Sequence, residues 1–191
     1  MKETSSKQCM STPKKLIILF AAIIAIFAVI NAVWYFGYKA TYDELASKMD
    51  VEENTIGQEN SVSYYRIVGD QKCILNMPSY LGAGGHLCVS NKDGYIPQFD
   101  NDGNIIADNG VLISLYVWPQ FFGGYQLGVD LYSEKDEMMM QIYINSDLSL
   151  TNTEDLDPWA IDECEKLVTQ YADEIKQLIV IAEDTWNIDL Q

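Results

Sequence analysis

The sequence predicts an α+β fold: an N-terminal transmembrane helix, then an antiparallel β-meander of five or six strands, packed by a long C-terminal amphipathic helix. Three observations carry this reading. Residues 16–38 are almost wholly apolar, several runs between 61 and 145 alternate apolar and polar residues, and residues 158–186 repeat apolar residues at three- and four-residue spacing. The chain of 191 residues is 48% hydrophobic, which argues against disorder throughout. Its formal charge of -16 excludes a nucleic-acid binder that works by neutralising phosphates with Lys and Arg.

The segment from Leu16 to Tyr38 (LIILFAAIIAIFAVINAVWYFGY) holds no charged residue, and Asn31 is its one strongly polar side chain. As a helix it reaches about 34 Å, enough to cross a hydrocarbon layer of about 30 Å. A lone span must satisfy its backbone internally, so helix is the expected form. Trp34, Tyr35 and Tyr38 gather at its C-terminal end, where amphipathic rings settle at a membrane–water boundary. A cleaved signal peptide would have a shorter apolar stretch and a small-x-small cleavage site. Tyr38-Lys39-Ala40 is a poor one. Cys9 precedes the apolar run, so the chain lacks the lipoprotein arrangement of a Cys directly after it.

Residues 1–15 carry four Lys and one Glu, a formal +3, and Lys14 and Lys15 abut the span. Residues 39–191 carry eight Lys or Arg against 27 acids, a formal -19. The positive-inside bias places residues 1–15 in the cytoplasm as a basic tail and residues 39–191 outside a plasma membrane, with a bacterial source expected. The acidic surface reads first as a solubilising one.

Residues 39–60 are polar and read as a stalk, with a short helix over Tyr42 to Met49. The folded domain begins at 61. Val62 to Val68, Lys72 to Met77 and His86 to Ser90 are strand candidates, the first two joined by Gly69-Asp70. Val111 to Trp118 alternates and is stopped by Pro119, which lacks a ladder donor. Tyr125, Leu127, Val129 and Leu131 share one face of the next run, and Met138, Met140, Ile142 and Ile144 one face of the last. The polar Ser133–Glu137 turn should join those two as a hairpin. Asp157 can cap the final helix and Pro158 fits its first turn. Ile161, Cys164, Leu167, Val168, Tyr171, Ile175, Leu178, Ile179, Ala182 and Trp186 form its apolar stripe, about seven turns long.

Few residues offer chemistry. Cys73 and Cys88 each lie in a candidate strand and form a disulfide candidate if those strands are neighbours; closing a loop of about 15 residues is worth about 3 kcal/mol in the chain-entropy model. Two reduced core thiols are the alternative. Cys164 sits on the helix stripe as a small hydrophobe. His86, the single histidine, stands two residues before Cys88, and an adjacent imidazole can activate a thiol. A structural histidine is the commoner outcome. The Gly82–Gly85 run lacks the Gly-Lys-Ser/Thr ending of a phosphate loop and reads as a strand connection. Asp100, Asp102, Asn104 and Asp108 alternate, but taking Asp100 as position one of a calcium loop puts Gly103 at four and Val111 at twelve, so that template fails. No metal and no cofactor are expected. Asp155 and Asp157 form an acid pair of the kind a hydrolase uses, among 27 acids that make chance pairs common.

The segment Trp118-Pro-Gln-Phe-Phe-Gly-Gly-Tyr125 links two strands. Trp118, Phe121, Phe122 and Tyr125 are the candidate binding residues. Exposed, Phe121 and Phe122 form an apolar patch for a partner; buried, both tuck under the C-terminal helix or the stalk. The expected function is a non-enzymatic binding or interaction domain at the cell surface. Its partners are the lipid bilayer and another membrane or envelope component. An envelope hydrolase and an accessory subunit of a membrane complex are the alternatives, the latter because Asn31 could bond to a neighbouring helix.

Overall fold

The computed structural model describes residues 12–49, 52–54, 62–69, 71–91, 113–133 and 138–190. Helix α1 (Thr12–Trp34) runs without interruption through a five-residue π-helical turn (Tyr35–Lys39) into α2 (Ala40–Ser47). Together these form one helical rod, Pro13–Ser47, long and apolar enough in its first part to cross a membrane, and that apolar part is not buried against the rest of the chain. Seven strands follow: β1 (Glu52–Asn54), β2 (Ser63–Val68), β3 (Gln71–Asn76), β4 (His86–Ser90), β5 (Ser114–Pro119), β6 (Tyr125–Ser133) and β7 (Met138–Ile144). They lie in sequence order in one antiparallel sheet. Six are full strands, and β1 adds a three-residue edge. Gly69 supplies the positive φ (62°) that the tight β2–β3 turn requires.

The alternation read from the sequence sets the two faces of the sheet. Cys73, Val89, Leu115, Val129 and Ile142 stand in one cross-strand row, and Leu75, Leu87, Val117, Leu127 and Ile144 in the next. All ten are buried. Each fully buried aliphatic side chain contributes about 1.5–3 kcal/mol, so this face organises the domain. Across it lie α3 (Pro158–Gln170) and α4 (Ala172–Trp186), which bring Leu167, Ile175, Leu178 and Trp186 into the same core.

Three features differ from the sequence reading. The C-terminal helix is broken at Tyr171, whose backbone takes φ -110° and ψ 23°. The break costs little: Tyr171 N–H still reaches Leu167 O at 3.1 Å and Ile175 N–H reaches Tyr171 O at 3.0 Å, so the apolar stripe continues through the bend. Asp157 occupies the cap position and Pro158 the first turn, but no side-chain capping bond forms. The third difference concerns the stalk. Its first part is built into the body: Tyr42, Leu45 and Met49 are buried in the core, and Glu52–Asn54 pairs with β2. The spacing of Tyr42, Leu45 and Met49 is that of one helix face, and the open edge of the core takes up that face.

Candidate functional site

The rod meets the domain through one stripe of aromatic donors. Trp34, Tyr38 and Tyr42 recur every four residues and face the connection between β3 and β4. Trp34 Nε1 donates to Gly82 O (3.2 Å), Tyr38 Oη to Ala83 O (2.8 Å) and Tyr42 Oη to Gly85 O (2.6 Å). The two tyrosine hydroxyls lie 3.1 Å apart. The close approach of Tyr42 requires glycine at position 85. A Cβ on Gly85 would stand 2.7 Å from the Tyr42 ring and 2.9 Å from Pro78 N. The run read as a strand connection is also a docking strip for the rod, and its carbonyls are the acceptors.

A second chain of bonds holds that strip to the sheet. Ser63 Oγ donates to Asn76 Oδ1, and Asn76 Nδ2 lies 2.7 Å from His86 Nε2. The ring also bonds the Gly84 backbone, which fits a neutral imidazole with its proton on Nδ1. Burial holds the His86 pKa below its ordinary value. His86 thus links the strip to the sheet through Asn76 and Gly84.

The β5–β6 hairpin closes the other side of the rod. Phe121 lies against Gly37 so closely that a Cβ there would come within 2.6 Å of its ring. Between hairpin, rod and strip is an open pocket of about 450 Å3. Trp34, Tyr38, Trp118 and Phe121 supply its rings, Gln120 and Gln126 its side-chain amides, and Gly82 and Ala83 its backbone edge. None of its lining residues is charged.

From Trp118 an aromatic row runs across the sheet face opposite the helices. Tyr116 and Trp118 stack at 5.7 Å with 12° between planes, Trp118 meets Tyr143 at 5.7 Å, and His86 meets Tyr116 at 5.4 Å. Gly128 makes room for it, since a Cβ there would come within 2.7 Å of the Trp118 ring. Beside the row, Tyr116 and Gln141 hydrogen-bond to Asp130, whose pKa is raised by burial. Burial also pushes the Cys88 thiol up to about 12, leaving it protonated and a poor nucleophile.

Of the four candidate binding residues, Trp118 and Phe121 line the pocket, Phe122 points outward and Tyr125 packs on the core side of the sheet. The Cys73–Cys88 bridge does not form: all three described cysteines are free. Cys73 pairs with Val89 and Cys88 with Ile74, so the two thiols project from opposite faces of neighbouring strands. Cys73 instead faces Thr185 Oγ1 at 3.6 Å. Asp155 and Asp157 lie exposed in the segment before α3, outside the junction pocket. Asn31 finds its partners within the chain, donating from Nδ2 to Phe27 O (2.8 Å) and accepting from Tyr80 Oη. Asp100, Asp102, Asn104 and Asp108 fall outside the described residues. Among the described residues no group of three or more His, Cys, Asp or Glu side chains could hold a metal ion.

Sequence reasoning missed Tyr80, Gln126 and the roles of Trp34 and Tyr38. The four-residue recurrence of Trp34, Tyr38 and Tyr42 was the available signal, but it reads equally as an interfacial belt. The chain matches no family model, no curated protein and no solved structure.

Proposed function

We propose that this chain is a single-pass membrane protein, N-terminus cytoplasmic, that presents residues 39–191 on the far side as a non-enzymatic binding module. The observation that carries the reading is the bonding of Trp34 and Tyr38 to Gly82 and Ala83. A removable leader has no reason to be stitched into the domain it leaves, whereas a permanent anchor does. Lys14 and Lys15 before the span support the orientation.

The binding surface in this reading is the junction pocket with the aromatic row beyond it. Rings flanked by amides and free of charge suit an uncharged partner with an apolar face and hydrogen-bonding edges that lies at the membrane surface, such as a juxtamembrane segment of another envelope protein or a neutral polymer held there. The protonated Cys88 thiol, the engagement of His86 Nε2 by Asn76 and the exposed placement of Asp155 and Asp157 favour binding over hydrolysis.

Orientation is tested by labelling intact cells with an impermeant amine reagent. Lysines beyond residue 38 should react and Lys14 and Lys15 should not; the reverse pattern contradicts the reading. The binding role is tested by placing a photo-crosslinking amino acid at position 126, in the pocket, and at position 180, on the exposed side of α4. Adducts from 126 and none from 180 are expected, and silence at 126 counts against a binding pocket there.

A further inference from the structure

Building on the anchor reading, we propose that the Ser79–Gly82 loop and the tip of the β5–β6 hairpin form a collar seated in the outer leaflet, so that the domain rests on its own membrane in one fixed orientation. With Lys15 at the inner boundary, a hydrocarbon layer of about 30 Å ends about twenty residues later, near Tyr35. Asn31 then lies about 6 Å below that boundary, at 1.5 Å per residue. Tyr80 hydrogen-bonds to Asn31, and its ring meets that of Trp34 at 5.4 Å. The Tyr80 side chain therefore descends alongside the span, and its loop sits at the boundary. On the other side of the rod, Phe121 covers Gly37, two residues beyond Tyr35.

Apolar side chains at this level are open on both the rod and the two loops: Phe122 is 97% exposed, Phe36 76%, Tyr80 54% and Leu81 42%. Such a cluster ringing a span is costly in water and favourable at a headgroup–acyl boundary. Charge points the same way. Residues 77–85 and 118–126 contain no charged side chain, although the part of the chain beyond the span carries 27 acids. Both segments proposed to reach the lipid are thus free of charge. A rod that enters the core through Tyr42 and Leu45 also leaves no slack for the domain to lift away.

The test uses the full chain with Cys9→Ser and one added cysteine at a time: Phe122→Cys, Leu81→Cys, Ile24→Cys or Val180→Cys. The native thiols at 73, 88 and 164 are buried and stay unlabelled under native conditions. Each variant is labelled with bimane and reconstituted into phosphatidylcholine vesicles with brominated acyl chains. The labels at 122 and 81 should lose most of their fluorescence, as the label at 24 does, while the label at 180 keeps its own. If 24 is quenched and both 122 and 81 behave like 180, the collar is wrong and the anchor stands. If 24 also escapes quenching, the anchor reading fails and the collar with it. A blue shift at 122 without bromine quenching would assign the patch to a protein contact and overturn the proposal.

Discussion

Tyr42 donates its hydroxyl to the Gly85 carbonyl at 2.6 Å, with its ring lying where a Gly85 side chain would be. A residue at the end of the helical rod thus fixes the backbone just before β4, and both groups are buried. Tyr42→Phe leaves the carbonyl without its donor and should cost about 1–3 kcal/mol. Gly85→Ala forces the ring and Pro78 apart and should cost about as much, 1–3 kcal/mol, by overpacking. Because the two changes break one contact, the double variant should lose less than the sum. Unfolding in detergent micelles reads all three.

The three described cysteines should behave as core residues. Burial raises the pKa of Cys73, Cys88 and Cys164, so the nucleophilic thiolate is scarce in the native protein. A maleimide at pH 8 should leave them unmodified until denaturant is added. Mass analysis without reduction should find no Cys73–Cys88 crosslink.

The docking strip should weaken in mild acid. The folded-state pKa of His86 lies below its ordinary value of 6.5, so its contribution is present above that pH. It is lost as the pH falls from 6.5 toward the lower folded value, because protonation removes the Nε2 acceptor facing Asn76. Melting temperature measured between pH 8 and 5 should fall on the acid side, and His86→Gln should flatten that part of the curve.

Gly128 is the space on which the aromatic row depends. Gly128→Ala puts a methyl 2.7 Å from the Trp118 ring, at the flexible end of that side chain. The ring should swing out at a cost of about 1 kcal/mol, changing the near-ultraviolet circular dichroism. Crosslinking from position 126 should drop with it. An unchanged spectrum and yield would show that the row is not a rigid unit.

The strands were legible because period-two alternation is a local property. Leu127, Val129 and Leu131 announce a buried face without reference to any other element, and the observed meander follows chain order. What was not legible is non-local. The partner of Tyr42 is 43 residues away, so a polar-looking stretch concealed a core helix face. The bend at Tyr171 carries no Pro or Gly to mark it. The disulfide candidate failed on register: one step of pairing sends Cys73 and Cys88 to opposite faces, and spacing along the chain does not set that step. Trp118 and Phe121 were conspicuous because an aromatic hairpin tip stands out locally, and both line the junction pocket, whereas Phe122 and Tyr125 diverge from them for reasons of strand phase.

The most direct check on the account is the intact mass of the protein purified from a membrane fraction. Retention of the whole chain through residues 16–38 in that fraction is the outcome that follows from the Trp34–Gly82 and Tyr38–Ala83 bonds. A mature form beginning near residue 40, or an intact chain recovered wholly from the soluble fraction, would contradict it.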